Sequence, residues 1–223
     1  MRRLLYVVAA ACVLFAGCKK AVLEYSIQVT TRDVKNLTPL SVILCGDATF
    51  THSIRPWSIN FQYSTTPDFS DSKEEEAYWD EYNIFSLQIR DLTPATRYYY
   101  RALVVQRDHY TYGETKEFTT LPVSAMIETL DYAIEKEGYV TLKSKVDVSN
   151  MPYYVTHYGF YAGASEYNME QISSLGGSPI GGIYSEPISD TRFSGSRIYY
   201  KAYLRLNDVE YFGELKCYEK SNQ

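Results

Sequence analysis

A β-hairpin that occurs twice, one hundred positions apart, limits this chain more than any other feature. Arg97–Phe118 reads RYYYRALVVQRDHYTYGETKEF, and Arg197–Tyr218 reads RIYYKAYLRLNDVEYFGELKCY. Tyr99-Tyr100-Arg101-Ala102 corresponds to Tyr199-Tyr200-Lys201-Ala202. Tyr112-Gly113-Glu114-x-Lys116-x-Phe118 corresponds to Phe212-Gly213-Glu214-x-Lys216-x-Tyr218. A unit that recurs at one fixed spacing signals a duplicated domain whose size is the period. The 223 residues hold two such units, each long enough to bury its own core.

The hairpin strands alternate with period two, which predicts half-buried antiparallel strands. In the second copy Ile198, Tyr200, Ala202, Leu204 and Leu206 form the inner row. Tyr199, Lys201, Tyr203 and Arg205 form an outer row, read as a solvated sheet surface stabilised by aromatic and cation pairs. Tyr98, Tyr100, Ala102 and Val104 are the inner row of the first copy. Other strands also have counterparts: Val42-x-Leu44-x-Gly46 matches Val140-x-Leu142-x-Ser144, and Ile59–Tyr63 matches the stretch at Tyr158–Tyr161. Tyr25–Thr31 is the first strand. Asn168–Leu175 is read as a short helix capped by Asn168, ahead of a flexible Leu175–Gly182 loop. The 23 tyrosines suit sheet surfaces, where the ring packs and the hydroxyl stays wet. Cys45 and Cys217, on different strands of different repeats, are expected to be unpaired.

Asp91-Leu92-Thr93-Pro94-Ala95-Thr96-Arg97-Tyr98 leads into the first hairpin. Leu-x-Pro-x-Thr-x-Tyr is similar to the tyrosine corner that opens the sixth strand of fibronectin type III domains. The resemblance implies a structural role for Leu92, Pro94, Thr96 and Tyr98, with the Tyr98 hydroxyl bonding back to the upstream backbone. The second repeat lacks the corner, carrying Arg192, Ser194 and Ile198 at the matching places. The fold expected is all-β: two tandem antiparallel β-sandwiches of fibronectin type III or immunoglobulin-like type, at residues 24–122 and, in degenerate form, 123–220. The join at 119–123 is short and leaves the two domains end to end with limited freedom.

Residues 1–17 are expected to be a lipoprotein signal peptide. Arg2 and Arg3 precede an apolar run, Leu4–Ala16, too short to span a bilayer as a mature helix. Ala16-Gly17-Cys18 resembles a bacterial lipobox, with Phe15 where leucine is commoner, and implies lipidation of Cys18. Residues 18–23 would be the tether, reaching no more than ~18 Å. The expected location is the bacterial cell envelope, most simply the outer membrane, with the membrane as partner through the N-terminal lipid.

No residues combine into a catalytic or metal motif. His52, His109 and His157 have no ligand-spaced neighbour, and Gly176-Gly177-Ser178-Pro179-Ile180 lacks the second glycine of a nucleophile elbow. No cofactor is implied, and a net charge of −5 with no basic stripe argues against nucleic acid. The acidic stretch Asp71–Glu81 carries an aromatic set, Tyr78, Trp79 and Tyr82. These rings are expected to pack on the domain edge; the alternative is a ligand-binding surface of aromatics beside carboxylates. The expected function is a non-catalytic binding, adhesion or scaffold module with an unidentified protein or glycan ligand. The alternative is a glycan-binding accessory lipoprotein of a nutrient-uptake system.

Overall fold

The computed structural model describes residues 26–51, 56–79, 83–151, 153, 155–176, 181–206 and 208–220. The expected signal peptide, Cys18 and the expected tether lie outside the described residues, as do Tyr82, His52 and positions 177–180. The described chain is all-β, with antiparallel pairing throughout and one short 3-10 turn, Val123–Ala125.

The first half supplies β1 (Ile27–Lys35), β2 (Val42–Phe50), β3 (Ser58–Ser64), β4 (Lys73–Glu76), β5 (Tyr78–Trp79), β6 (Ile84–Ile89), β7 (Arg97–Gln106), β8 (His109–Tyr112) and β9 (Lys116–Thr119). One sheet runs β1-β2-β6-β5. The other runs β4-β3-β7, with β8 and β9 pairing in turn with β7. The second half supplies β10 (Ile127–Lys136), β11 (Tyr139–Val146), β12 (Val155–Ser165), β13 (Asn168–Gly176), β14 (Gly182–Ser189), β15 (Arg197–Leu206), β16 (Val209–Phe212) and β17 (Lys216–Glu219). Its sheets run β10-β11-β14 and β13-β12-β15, with β16 and β17 on β15.

Alternation puts one row of the central strands inside. Val42, Leu44, Phe61, Phe85, Tyr100, Ala102 and Val104 are buried in the first core; Val140, Leu142, Phe160, Tyr200, Ala202 and Leu204 are buried in the second. The same set of bonds holds the first strand of each half across the sandwich. Thr31 Oγ1 accepts the Ala102 N–H (3.0 Å), and Thr129 Oγ1 accepts the Ala202 N–H (3.0 Å). The Tyr100 hydroxyl donates to the Arg32 carbonyl (2.8 Å), and the Tyr200 hydroxyl to the Leu130 carbonyl (3.1 Å). Lys116 pairs with Asp33 (2.7 Å) and Lys216 with Asp131 (2.6 Å).

The repeated glycine explains itself here. A Cβ at Gly113 would sit 2.8 Å from the Thr31 backbone nitrogen, and one at Gly213 would sit 2.5 Å from that of Thr129. Each glycine lets two backbones approach closely while its N–H donates to the carbonyl of Ala102 or Ala202.

Two expectations are corrected. Asn168–Leu175 is not a helix but most of β13, paired along β12 from Ser165↔Asn168 to His157↔Gly176. An isolated eight-residue helix is marginal in water, whereas this segment finds a ready ladder beside it. Tyr203 is not solvated: although on the outer row, it is 0% exposed, for reasons given below.

Leu40, from the first half, is buried among residues of the second core. Its carbonyl accepts the Leu92 N–H (3.0 Å) and the Tyr153 hydroxyl (2.9 Å), and the same hydroxyl accepts the Asp91 N–H (2.5 Å). Burial, the main cause, and the nearby Asp91 push the Tyr153 phenol up to about 12. Cys45 and Cys217 are both free.

Candidate functional site

The aromatic set behind the acidic stretch is divided by the strand pleat. Tyr78 lies opposite Ser86 and Trp79 opposite Phe85, so the two neighbours stand on opposite faces of the sheet. Trp79 turns to the inner side and stacks on Phe50 (5.5 Å between centroids, planes 30° apart), leaving it 41% exposed. Tyr78 faces out, is 82% exposed, and forms one wall of an open groove of about 450 Å³ with Ile43, Ser86, Gln88 and Arg90. Arg90 donates to the Gln88 carboxamide oxygen (3.0 Å), fixing both side chains. Glu74, Glu75 and Glu76 belong to β4 on the other sheet, where every residue is exposed.

Around the corner segment, the Tyr98 hydroxyl accepts the Thr93 N–H (3.0 Å). Thr96 Oγ1 donates to the Pro94 carbonyl (2.9 Å), and Leu92 is buried in the core. Thr120 ties the segment to the end of the last strand, accepting the Thr96 N–H (2.9 Å) and donating to the Thr93 carbonyl (2.6 Å). Ile198, at the place of Tyr98, offers no such bond; it is fully buried instead.

The surface that sequence reasoning missed lies on the solvent side of the five-stranded sheet of the first domain. Asn60 and Gln62 of β3 face Glu76 and Glu74 of β4 on one side; across β3 lie Leu103 and Arg101 of β7, then Tyr112 of β8. The Arg101 guanidinium is clamped between two rings, 4.4 Å from the Phe69 centroid and 4.0 Å from that of Tyr112. Tyr110 extends the row, stacked on Tyr112 at 6.3 Å with planes 15° apart. Arg101 Nε donates to Gln62 Oε1 (2.8 Å), and Gln62 Nε2 donates to Ser72 Oγ (2.8 Å).

Phe69 comes from the loop between β3 and β4, and that loop is tightly built. Asp71 accepts hydroxyls from Ser64, Thr65 and Thr66, which hold its carboxyl down to about 2. Asp68 accepts both the N–H (3.1 Å) and the hydroxyl (2.9 Å) of Ser70. Phe69 itself sits at φ 59°, a conformation that costs a non-glycine residue about 1–2 kcal/mol. The available sequence signal was weak: Thr-Thr-Pro-Asp reads as a turn, and nothing in it says which ring the turn will aim.

The second domain treats the equivalent surface differently. Tyr203 lies opposite Gly159 and Phe212. Tyr161 meets the Tyr203 ring edge to face at 5.1 Å; the Tyr203 hydroxyl donates to the Ser173 carbonyl (3.2 Å) and accepts the Gln171 amide. Arg205 pairs with Glu210, and Lys201 lies 4.0 Å from the Phe212 ring. These contacts bury Tyr203. Among the described residues no three histidine, cysteine or carboxylate groups gather as a metal site.

No family model matches the chain, and no curated protein matches it. Among solved structures, a DUF3823 family protein from Bacteroides ovatus is 10% identical over 89% of this chain and 100% of that one, with a TM-score of 0.35. A segment of two fibronectin type III domains from chicken tenascin is 13% identical, covering 84% of this chain and 96% of that one, at 0.33. The sensor domain of an anti-sigma factor from Pseudobacteroides cellulosolvens is 19% identical, covering 43% and 95%, at 0.37. At these identities the likeness concerns the β-sandwich fold alone.

Proposed function

We propose that this chain is a lipid-anchored, non-catalytic binding module of a bacterial cell envelope, held at the outer membrane through acylated Cys18. The first domain is the binding domain and the second its structural partner. One observation carries the assignment of roles. The outer sheet face of the first domain exposes Tyr110 and Tyr112 beside a guanidinium stacked on Phe69 and Tyr112, whereas the second carries Glu210, paired to Arg205, at the place of Tyr110. The anchor rests on Arg2, Arg3, the short apolar run and Ala16-Gly17-Cys18. A tether of residues 18–23 keeps the first domain near the membrane, where a fixed ligand or partner would be met.

Metabolic labelling with a fatty acid tests the anchor: the wild type incorporates label and Cys18→Ser does not. Equal incorporation by both proteins removes it. The division of roles is tested by stability. Tyr110→Ala leaves the melting temperature within about 2 °C of wild type, as for surface substitutions, while Tyr203→Ala lowers it sharply. A large drop for Tyr110→Ala makes that ring a packing element and removes the open face. A glycan-binding accessory lipoprotein is the more specific form of the reading, supported by the Tyr78 groove with its fixed Gln88 and Arg90 groups.

A further inference from the structure

We infer that the row Phe69–Arg101–Tyr112–Tyr110 binds a neutral pyranose oligosaccharide, an inference that rests on the binding-module reading above. Four planar groups stand in sequence across the face, at 4.4, 4.0 and 6.3 Å. Their order is enforced twice. The loop carrying Phe69 is held by Asp68 and Asp71 and places the ring at φ 59°. Gln62 takes Arg101 Nε and is itself held by Ser72 of the same loop, so the guanidinium cannot rotate about its stack. Strain of this kind is kept where the surrounding structure needs one geometry.

With Nε committed and both faces covered, the parallel Nη groups are what remain for a ligand, and they make no ion pair among the described residues. Such a fork pairs with two oxygens side by side, in a carboxylate or in adjacent sugar hydroxyls. The surroundings choose between them. Glu74 and Glu76 stand on the same face through Asn60 and Gln62, and the chain is net negative, so an anion meets repulsion while a polyol meets further acceptors. Beside the fork, Tyr110 is 56% exposed and offers a flat apolar surface to the C–H face of a sugar ring. In the second domain Lys201 replaces the fork with a point charge, and Tyr203 fills the adjoining space.

The full chain, purified in detergent, is run through native gels containing galactomannan, xyloglucan, dextran or polygalacturonate. At least one neutral polymer retards the wild type. Arg101→Lys, which keeps the charge but loses the fork, and Tyr110→Ala each weaken that retardation by about tenfold or more. Tyr132→Ala, on the second domain, leaves it unchanged, and all variants keep the wild-type circular dichroism spectrum. The inference is overturned by retardation in polygalacturonate alone, by none in any neutral polymer, or by retardation that survives both first-domain changes. Any of these outcomes leaves the Cys18 labelling result and the Tyr110/Tyr203 stability contrast standing, so the broader reading fails or survives on its own measurements.

Discussion

The outer faces of the two five-stranded sheets share one pattern and fill it with different residues. Position by position, Arg101 matches Lys201, Leu103 matches Tyr203, Val105 matches Arg205, Tyr110 matches Glu210 and Tyr112 matches Phe212. A cation over a ring survives in both, as Arg101 on Tyr112 and Lys201 on Phe212. What differs is the neighbour across the strand. Asn60 faces Leu103, but Gly159 faces Tyr203, and the missing side chain lets a long ring lie down against β12. The long β13 then bonds its hydroxyl, whereas Leu103 at the matching place is equally buried and offers no such bond; the exposed part of the first face is Tyr110 and Tyr112. The inner rows changed mainly between apolar or aromatic residues, as Tyr98 to Ile198 and Val104 to Leu204, because a change there must fit the opposing sheet.

The largest test of this contrast is Tyr203→Ala, which should destabilise the protein by about 3 kcal/mol or more, as for large buried aromatics. Chemical denaturation showing a loss below about 1 kcal/mol would mean that Tyr203 does not hold β13 to its sheet. The duplicated docking of the first strand should respond equally in both halves. Gly113→Ala and Gly213→Ala force a methyl group against Thr31 or Thr129 and should each cost about 1–3 kcal/mol. A loss confined to one variant would break the equivalence.

Titration sharpens the same point. Burial, first among the causes, pushes both Tyr100 and Tyr200 up to about 12 from an ordinary value of 10.0. The folded state therefore favours the neutral phenols. Their contribution is intact below pH 10 and is lost as the pH rises from 10 toward 12, in both domains alike. Tyrosinate absorption near pH 10 that disappears in Tyr100→Phe or Tyr200→Phe, together with full retention of fold, would contradict it.

Smaller effects separate the halves again. Tyr98→Phe removes the acceptor of the Thr93 N–H and should cost about 0.5–1.5 kcal/mol. Ile198→Val, at the matching place, loses only a methylene, so its cost should not change with the hydrogen-bonding state of that segment. An unchanged denaturation midpoint for Tyr98→Phe would remove the corner role from the first domain. The edge strand β5 separates its own two faces, with the smallest effect of all at Tyr78. Trp79→Ala should cost about 1–2 kcal/mol through its stack on Phe50, and Tyr78→Ala less than about 0.5 kcal/mol. A reversal of that order would show that Tyr78, not Trp79, closes the edge.

Much of the architecture could be read from the residues. Period-two rows such as Ile198–Leu206 name their own buried face, because alternation in a strand admits only two sides. The recurring Tyr-Gly-Glu and Phe-Gly-Glu announced a duplication, although its reason, a glycine facing a threonine on a strand about eighty residues away, is a tertiary contact. The grouping of Tyr78 with Trp79 as one surface depended on sequence adjacency, and adjacency in a strand places side chains on opposite faces. Asn168–Leu175 looked helical because an amide cap and a polar run carry no trace of the partner strand.

The sequence by itself determined the all-β class, the two-fold repeat and the inner rows of the hairpins, since these rest on local periodicity and local motifs. Only the tertiary structure decided which outer rows are open, where Phe69 is aimed and that Leu40 belongs to the neighbouring core. Those outcomes depend on which strands lie side by side and on the presence or absence of one side chain across a ladder. Local physical chemistry cannot count such contacts, because the residues that make them are brought together only by the fold.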